Sequence, residues 1–225
     1  MKKLIQGFNY VFGGLLNRSN TRINHSLMYL QRERKIDRNY MDYIRLASLE
    51  LVANEINDRS LEGSVAEVGV YKGKFARYIN QYFPERKFYL FDTFEGFDQS
   101  DVNSERQKGF SSGEQDFSDT SVENVLKLMP NPKQCIVKKG FFPQTAEGLE
   151  DKFVFVSLDA DLYEPILSGL KYFYPKLQPG GYIFVHDYNN SLYKGAKRAV
   201  EEFCAANNVS KMPLPDAGGT AIILK

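Results

Sequence analysis

Acidic residues and one histidine follow the apolar segments that the sequence predicts as strands. Asp159 comes directly after the apolar run 153–158, and His186 and Asp187 come directly after the run 182–185. Carboxylates that converge repel one another unless a cation or ligand groups lie between them. Because neighbouring parallel strands end at one edge of a sheet, Asp159 and Asp187 are predicted to hold one divalent ion. Oxygen ligands favour Mg²⁺, whereas an added imidazole would favour Mn²⁺ or a similar metal.

Several side chains in this region also have a purely structural interpretation. Asp161 precedes Pro165 and is interpreted first as the cap of a helix and second as a catalytic group. His186 is explained equally well as a hydrogen-bonded orienting group and as a direct metal ligand. Packing explains Asp159 and Asp187 least easily, because buried unpaired carboxylates are costly.

A glycine turn is the second feature that could do chemistry. Residues 65–73 read VAEVGVYKG, an apolar strand carrying Glu67 that breaks at Gly69 and Gly73 before a helical pattern begins at Phe75. Glycines let the backbone approach a ligand closely, and the start of a helix offers unpaired N–H groups. Alternatively, Glu67 is a structural acid that pairs with a nearby N–H group.

The ligand of this turn is predicted from what the motif lacks. The glycines do not complete the pattern G-x-G-x-x-G, and no Lys-Ser or Lys-Thr pair follows them as in a P-loop. Asp92 ends the next predicted strand, 87–91, where an acid is placed to accept hydrogen bonds from a ribose. A nucleoside without a pyrophosphate therefore fits better than NAD, and S-adenosylmethionine is the common molecule of that description.

The elements that must position these residues alternate between strands and helices, which is typical of an α/β doubly wound sheet. The segment 93–120 is poor in aliphatic residues and is predicted to be a long loop that acts as a lid or is partly disordered. Predicted strands also cover 135–137 and 220–224, and predicted helices cover 40–58 and 121–129. The residues of helix 40–58 predicted to face the core are Ile44, Ala47, Leu51 and Val52.

The N-terminal residues 1–16 carry a one-sided apolar stripe that predicts a helix. We interpret it as an arm for packing or for forming a homodimer, with a helix on a membrane surface as the alternative. The segment 17–39 is polar and rich in arginine, and it is predicted to be a lid, a connector or a solvated segment.

Composition narrows the possible functions. A chain of 225 residues with a net charge of +1 predicts a full core and gives no electrostatic case for nucleic acid. Two cysteines without C-x-x-C spacing suggest a reducing compartment, so a cytoplasmic protein is expected. No apolar run is long enough to predict membrane insertion.

Taken together, the motifs resemble the macrocin O-methyltransferase family, the sugar O-methyltransferases of antibiotic and glycan pathways. The segments that carry the resemblance are EVGVYKG at 67–73, FDTFEGF at 91–97, FSDTSV at 117–122, LDADLY at 158–163, YPKLQPGG at 174–181 and GAKRAV at 195–200. The resemblance covers the chain from about Leu61 onward. It implies a class I methyltransferase, with a Rossmann-like, mostly parallel seven-stranded sheet and an N-terminal helical extension. We expect an arm or lid segment at 1–60 and a catalytic domain at 61–225.

The resemblance also implies a ligand set. S-adenosylmethionine would be the methyl donor, a sugar-containing small molecule the acceptor, and a divalent metal would hold the acceptor's hydroxyls. The family usually has Asp-Asp-Tyr where this chain has HDY at 186–188. The implied donor-binding residues are Glu67, Gly69, Tyr71 and Gly73 at the methionine end, Asp92 and Thr93 at the ribose, Gly140 and Phe141 near the adenine, and Asp159. The implied metal ligands are Asp159, His186 and Asp187.

A mechanism follows from charge. Coordination to a divalent cation lowers the pKa of a hydroxyl group, so that a modest base can remove its proton. Asp159 is the first candidate for that base and His186 the second. Two alternatives remain: a metal-dependent glycosyltransferase that uses the D-x-D motif at 159–161, and a donor-binding subunit without catalysis.

Overall fold

The computed structural model describes residues 2–18, 32–35 and 42–225. The chain divides into two compact units, Met1–Lys35 and Ile36–Lys225. The first unit contains helix α1 (Lys2–Arg18), as the apolar stripe predicts, and the apolar side chains along it are largely exposed. The predicted segment 17–39 lies largely outside the described residues, and the predicted division after residue 60 stays a prediction.

The second unit is built on a seven-stranded sheet with the order β3-β2-β1-β4-β5-β7-β6. Strands β1 to β5 run parallel, and β7 is antiparallel to both β5 and β6. This is the mostly parallel, doubly wound sheet that the sequence predicts. Its strands are β1 (Ser64–Val68), β2 (Phe88–Asp92), β3 (Cys135–Lys139), β4 (Phe153–Leu158), β5 (Leu177–Val185), β6 (Lys211–Pro213) and β7 (Ala221–Leu224).

Helices cover both faces of the sheet and produce two hydrophobic cores. The second unit contains α2 (Tyr43–Asp58), α3 (Ala76–Tyr82), α4 (Gln99–Lys108), α5 (Val122–Leu128), α6 (Tyr163–Lys176) and α7 (Lys194–Asn207). Helices α6 and α7 pack into one core, and α2, α3 and α5 pack into the other. Among the described residues, no helix has both the length and the apolar character to cross a bilayer.

Helix α2 buries a different face from the one predicted. Ala47 and Val52 are buried as expected, but Ile44 is 38% exposed and Leu51 is only half-buried. The prediction for Ile44 was therefore wrong. The buried face instead includes Arg45, whose side chain reaches the ends of the central strands.

The segment 93–120 is not a structureless loop, because it contains helix α4. Asp98 caps its start by accepting a hydrogen bond from the Ser100 N–H at 2.8 Å, and Gly109 ends it in a left-handed conformation with φ of 66°. The helix is polar along most of its length, so apolar periodicity could not reveal it. It is anchored by Glu105, which is buried and accepts a hydrogen bond from the backbone N–H of Tyr163 at the start of α6.

Candidate active site

A cleft of about 430 Å³ opens at the carboxyl ends of β1, β2, β4 and β5. In an α/β sheet this is where ligands bind. Gly73 and Gly140, both predicted to bind the donor, do not line the cleft. The predicted residues that do line it are Glu67, Gly69, Tyr71, Asp92, Thr93, Phe141, Asp159, His186 and Asp187.

One wall of the cleft comes from the segment that contains α4. The Tyr71 hydroxyl donates a hydrogen bond to Asp119 at 2.5 Å, and the Tyr71 ring packs edge-on against Phe117 at 5.0 Å between ring centroids. Phe117 in turn packs against Phe97 at 5.0 Å. These contacts fix the wall to the turn after β1.

The glycines of that turn serve packing within the protein. Gly69 has φ of 83°, and a Cβ atom there would overlap the backbone carbonyl of Asp159. A Cβ at Gly73 would lie 3.1 Å from a methyl group of Val125 and 3.2 Å from the Met129 methyl group. Gly69 thus lets the ends of β1 and β4 approach each other, and Gly73 lets α5 pack on the turn.

Asp92, at the end of β2, holds together the loops that follow β1 and β2 at the edge of the cleft. One of its carboxylate oxygens accepts hydrogen bonds from the N–H groups of Val70 and Tyr71 at 2.7 and 2.8 Å. The other accepts from the Phe94 N–H at 2.6 Å. A carboxylate has about four lone-pair positions, so one remains for a ligand.

Glu67 lies on the floor of the cleft and is almost completely buried. Neither of its carboxylate oxygens accepts a hydrogen bond from an N–H group within the described residues, and the Ser157 hydroxyl lies close enough to lower its pKa. The structural alternative, in which Glu67 pairs with a nearby N–H group, is therefore wrong. Burial raises its pKa well above the usual value, the charge of Asp159 raises it further, and Arg45 opposes both. A buried acid without a partner marks a place for a ligand's hydrogen-bond donor.

Asp159 has the opposite surroundings. Arg45 Nη1 donates to one of its carboxylate oxygens at 3.0 Å, and His186 Nδ1 lies 2.9 Å from the other. Burial alone would raise the pKa of Asp159, but the charges of Arg45 and His186 outweigh it and hold that pKa well below its usual value.

His186 is placed between two carboxylates. Its Nδ1 atom also lies 2.8 Å from an oxygen of Asp187, whose other oxygen accepts a hydrogen bond from Asn190 Nδ2 at 2.6 Å. Burial would lower the pKa of His186, but the charge of Asp159 and the hydrogen bonds to both carboxylates raise it to about 10.

Asp161 is not a helix cap. The N-cap position of α6 is Leu162, which makes no side-chain cap hydrogen bond, and Glu105 accepts the hydrogen bond of the Tyr163 N–H at that end. Asp161 instead lines the cleft in a left-handed backbone conformation with φ of 59°. Burial raises its pKa well above the usual value, and the neighbouring charges of Asp187 and Asp159 raise it further. A hydrogen bond between the carboxyl groups of Asp161 and Asp187 raises the pKa of Asp161 as well.

Arg45 is the site residue that sequence reasoning missed. Its guanidinium stacks on the Phe75 ring at 3.7 Å and donates to Ser157 Oγ at 3.2 Å, and the side chain is almost fully buried. Single arginines are common on the exposed faces of helices, so an arginine at position 45 did not by itself indicate a site residue. The one available clue was that the apolar residues Leu46, Ala47 and Leu49 follow it closely.

The predicted divalent ion was tested against these contacts. One ligand atom each from Asp159, His186 and Asp187 lies within 4.8 Å of the others, which is close enough to share an ion. Arg45 and Asn190 hold the outer oxygens of the two carboxylates, and the inner oxygens lie 2.9 and 2.8 Å from His186 Nδ1. A metal needs that ring nitrogen without a proton. These residues therefore offer a ligand set for one ion, and the ion itself stays a prediction.

The sheet order, the cleft and the acid at its floor define a class I methyltransferase. The sequence profile of the macrocin O-methyltransferase (TylF) family matches residues 35–224. The chain belongs to this family and is an O-methyltransferase that uses S-adenosylmethionine.

Individual relatives are distant. The 8-demethyl-8-(2,3-dimethoxy-alpha-L-rhamnosyl)-tetracenomycin-C 4'-O-methyltransferase of Streptomyces olivaceus is 23% identical over 190 residues, which are 79% of this chain and 71% of the relative. Among solved structures, the O-methyltransferase NovP has a TM-score of 0.64 at 21% identity and covers 81% of this chain and 80% of its own. The calicheamicin methyltransferase CalS11 has a TM-score of 0.65 at 20% identity, covering 80% and 78%.

Proposed function

We propose that this enzyme methylates a hydroxyl group of a sugar carried by a small molecule, in natural-product or polysaccharide biosynthesis. The observation that carries the proposal is the presence in one cleft of the unpartnered Glu67 and of Asp161, an acid with a raised pKa. The sugar acceptor is supported by relatives whose names describe a rhamnosyl group and TDP-rhamnose.

The donor is proposed to lie against the turn after β1. Glu67 would accept hydrogen bonds from its amino group, and the remaining lone pair of Asp92 would accept one from its ribose. Thr93 and Phe141 line the same part of the cleft. Gly73 and Gly140 act in this proposal only through the shape of their loops.

Asp161 is proposed as the proton acceptor in place of Asp159. When bound, S-adenosylmethionine presents an electrophilic methyl group on a cationic sulfur. The acceptor's O–H proton passes to a carboxylate oxygen of Asp161, and the acceptor oxygen forms a bond to the methyl carbon. The carbon–sulfur bond breaks, and its electron pair neutralises the sulfonium. Asp159 is less suited as a base because its pKa is lowered, and His186 is less suited because its Nδ1 atom already lies against Asp159 and Asp187.

The test is a methylation assay on a panel of acceptors. The purified chain is incubated with S-adenosylmethionine and a nucleotide-linked deoxysugar, a glycosylated aromatic polyketide, a free monosaccharide or an unglycosylated aglycone. Released S-adenosylhomocysteine and the methylated product are measured by mass spectrometry. We expect turnover only where a sugar is attached. Turnover on the bare aglycone alone would contradict the sugar assignment, and tight donor binding without turnover on any acceptor would favour the non-catalytic subunit.

We also propose that α1 forms part of a homodimer contact. Leu4, Val11 and Leu15 on this helix are 77%, 69% and 67% exposed, which is costly for an apolar surface in water. Light scattering should give a dimer for the wild type and a monomer after replacement of all three by serine. A monomeric wild type would contradict the proposal.

A further inference from the structure

Helix α4 brings another buried acid to the cleft. Asp101, in the first turn of this helix, lines the cleft and is only 8% exposed. Its carboxylate accepts no hydrogen bond and makes no ion pair within the part of the chain that the structure describes. Because buried polar groups in folded proteins almost always have partners, this carboxylate indicates a place where a ligand supplies the contact.

The start of α4 is packed against the loop that follows β4. Val102, next to Asp101 in the chain, shares a small apolar cluster with Leu162 and Tyr193. Leu162 directly follows Asp161, the proposed proton acceptor, and all four of the other residues named here except Val102 line the cleft. Asp101 therefore belongs to the wall beside the place where the acceptor is proposed to react.

A buried glutamate holds this wall in place. Glu105, one turn after Asp101, accepts hydrogen bonds from the Tyr163 N–H at the start of α6 and from the Ser111 hydroxyl at 3.1 Å. A Cβ atom at Gly195 would overlap the carboxylate of Glu105, so the start of α7 packs directly on it. Asp101 is thus carried by a helix that is tied to two others, which gives a binding group a fixed position.

The charges that surround Asp101 are negative. Burial raises its pKa to about 7, and the acids whose charges raise it further are Asp98, Glu164 and Glu105. Lys108 forms an ion pair with Glu164, and Arg106 donates from Nε to the Ser112 carbonyl at 2.6 Å. Both cations of α4 are therefore engaged away from Asp101.

This environment favours one kind of ligand group. The segment 93–120, which is described throughout, lines the cleft with the acids Asp98 and Asp101 and with no lysine or arginine. A cation placed there is attracted by both carboxylates, and it forms a charge-assisted hydrogen bond with Asp101. A hydroxyl group would gain the hydrogen bond without relieving the repulsion between the acids, and a phosphate would be repelled.

We propose that Asp101 is a specificity residue for the acceptor, and that the acceptor's sugar carries an amino group that binds this carboxylate as an ammonium ion. The assignment of the amine to the methyl acceptor rests on the proposed function. The contact between an ammonium group and Asp101 does not.

The first test measures binding without turnover. The probes are phenyl glycosides of 2-amino-, 3-amino- and 4-amino-deoxyhexoses, each paired with its N-acetyl form, which keeps the nitrogen but removes the charge. They are titrated by calorimetry into enzyme saturated with S-adenosylhomocysteine at neutral pH. We expect at least one free amine to bind about 10- to 100-fold more tightly than its N-acetyl partner. Equal affinities in all three pairs, or no binding by any free amine, would overturn the proposal.

The second test removes the charge of the carboxylate. Asp101→Asn keeps the shape of the side chain, and we expect it to bind the free amine and its N-acetyl partner within about twofold of each other. Its affinity for S-adenosylhomocysteine should be unchanged. Glu114→Gln is the matched control, because it removes an exposed acid of the same segment that does not line the cleft, and it should keep the preference.

A preference for the free amine that survives in Asp101→Asn would overturn the proposal. A loss of about tenfold or more in affinity for S-adenosylhomocysteine would also do so, because Asp101 would then contact the donor. Amine binding through Asp101 without methylation of any sugar would contradict the proposed function alone. Methylation of sugars without any preference for the free amine would contradict this inference alone.

Discussion

The two halves of the cleft differ in how their acids are satisfied. On the β1 side, Glu67 is buried, and no N–H group of the described residues donates to its carboxylate. On the other side, the carboxylates of Asp159 and Asp187 are each contacted by nitrogens from other side chains. A buried acid that lacks a partner indicates a place where a ligand supplies the missing hydrogen bond. Carboxylates that already have partners within the protein do not indicate such a place.

Asp161 lies at the boundary between these halves. It lines the same cleft, its pKa is raised, and its neighbours Asp159 and Asp187 are engaged by cations. The comparison therefore separates the proposed donor binding at Glu67 from the proposed proton transfer at Asp161. The following variants test these two roles and the packing and burial around them.

The largest effect is expected for Asp161→Asn. Loss of a general base lowers kcat by about 10²- to 10⁴-fold, and donor affinity should be unchanged because the donor is proposed to contact Glu67 instead. Asp159→Asn is the comparison variant, and it should also lose stability, because Arg45 then lacks a charged partner. Steady-state kinetics and calorimetry with S-adenosylhomocysteine separate these effects. A kcat for Asp161→Asn close to the wild-type value would remove Asp161 from the mechanism.

Glu67→Gln should have the next largest effect, in opposite directions on binding and stability. A lost charge-assisted hydrogen bond weakens donor binding by about 10- to 100-fold. The free protein, however, should melt at a higher temperature at pH 8, because a buried acid with a raised pKa costs stability above the pKa of the unfolded chain. If donor affinity is unchanged, the donor does not lie against Glu67.

Gly218→Ala tests the packing around His186, in the part of the cleft where the carboxylates already have partners. The added methyl group overlaps the His186 ring and should lower stability by about 1–3 kcal/mol, as overpacking does elsewhere. Turnover should fall as the ring moves, while donor affinity should change little. Gly14→Ala in α1 is the control, because nothing lies within 4 Å of a Cβ there. Thermal melts that are the same for both variants would contradict the packing argument.

The smallest effect on stability is expected for Asp101→Asn in the wall of the cleft. Burial raises the pKa of Asp101 to about 7, and the charge of Asp98 adds to it. Below about pH 4 both folded and unfolded chains hold this proton, so the variant and wild type should be alike. Between pH 4 and 7 only the unfolded chain releases it, so the wild type loses stability relative to the variant. At pH 8 the variant should melt a few degrees higher, about 2–4 °C per kcal/mol. Equal melting temperatures for the variant and the wild type at both pH values would show that the ionised Asp101 side chain does not destabilise the fold.

Much of the fold was predictable because apolar runs and helical periodicity survive in single sequences. The central strands, the turn after β1 and the acids at the strand ends followed from that pattern. Helix α4 did not, because it is held by a capping aspartate and one buried glutamate rather than by an apolar stripe. A segment held by such polar residues has the amino-acid composition of a loop, so its sequence does not predict a helix.

The sequence predicted which residues lie at the site but not which of them contact one another. Sequence order placed Asp159 and His186 at neighbouring strand ends, but it could not show that Arg45 arrives from a distant helix. It also could not show that Gly73 serves packing against α5. Contacts between distant residues depend on side-chain direction, which spacing along the chain does not report.

The most direct measurement is a crystal structure grown with S-adenosylhomocysteine. We predict that the ligand's amino group lies within hydrogen-bond distance of Glu67. A ligand whose amino group lies elsewhere and leaves Glu67 without that contact would contradict the account.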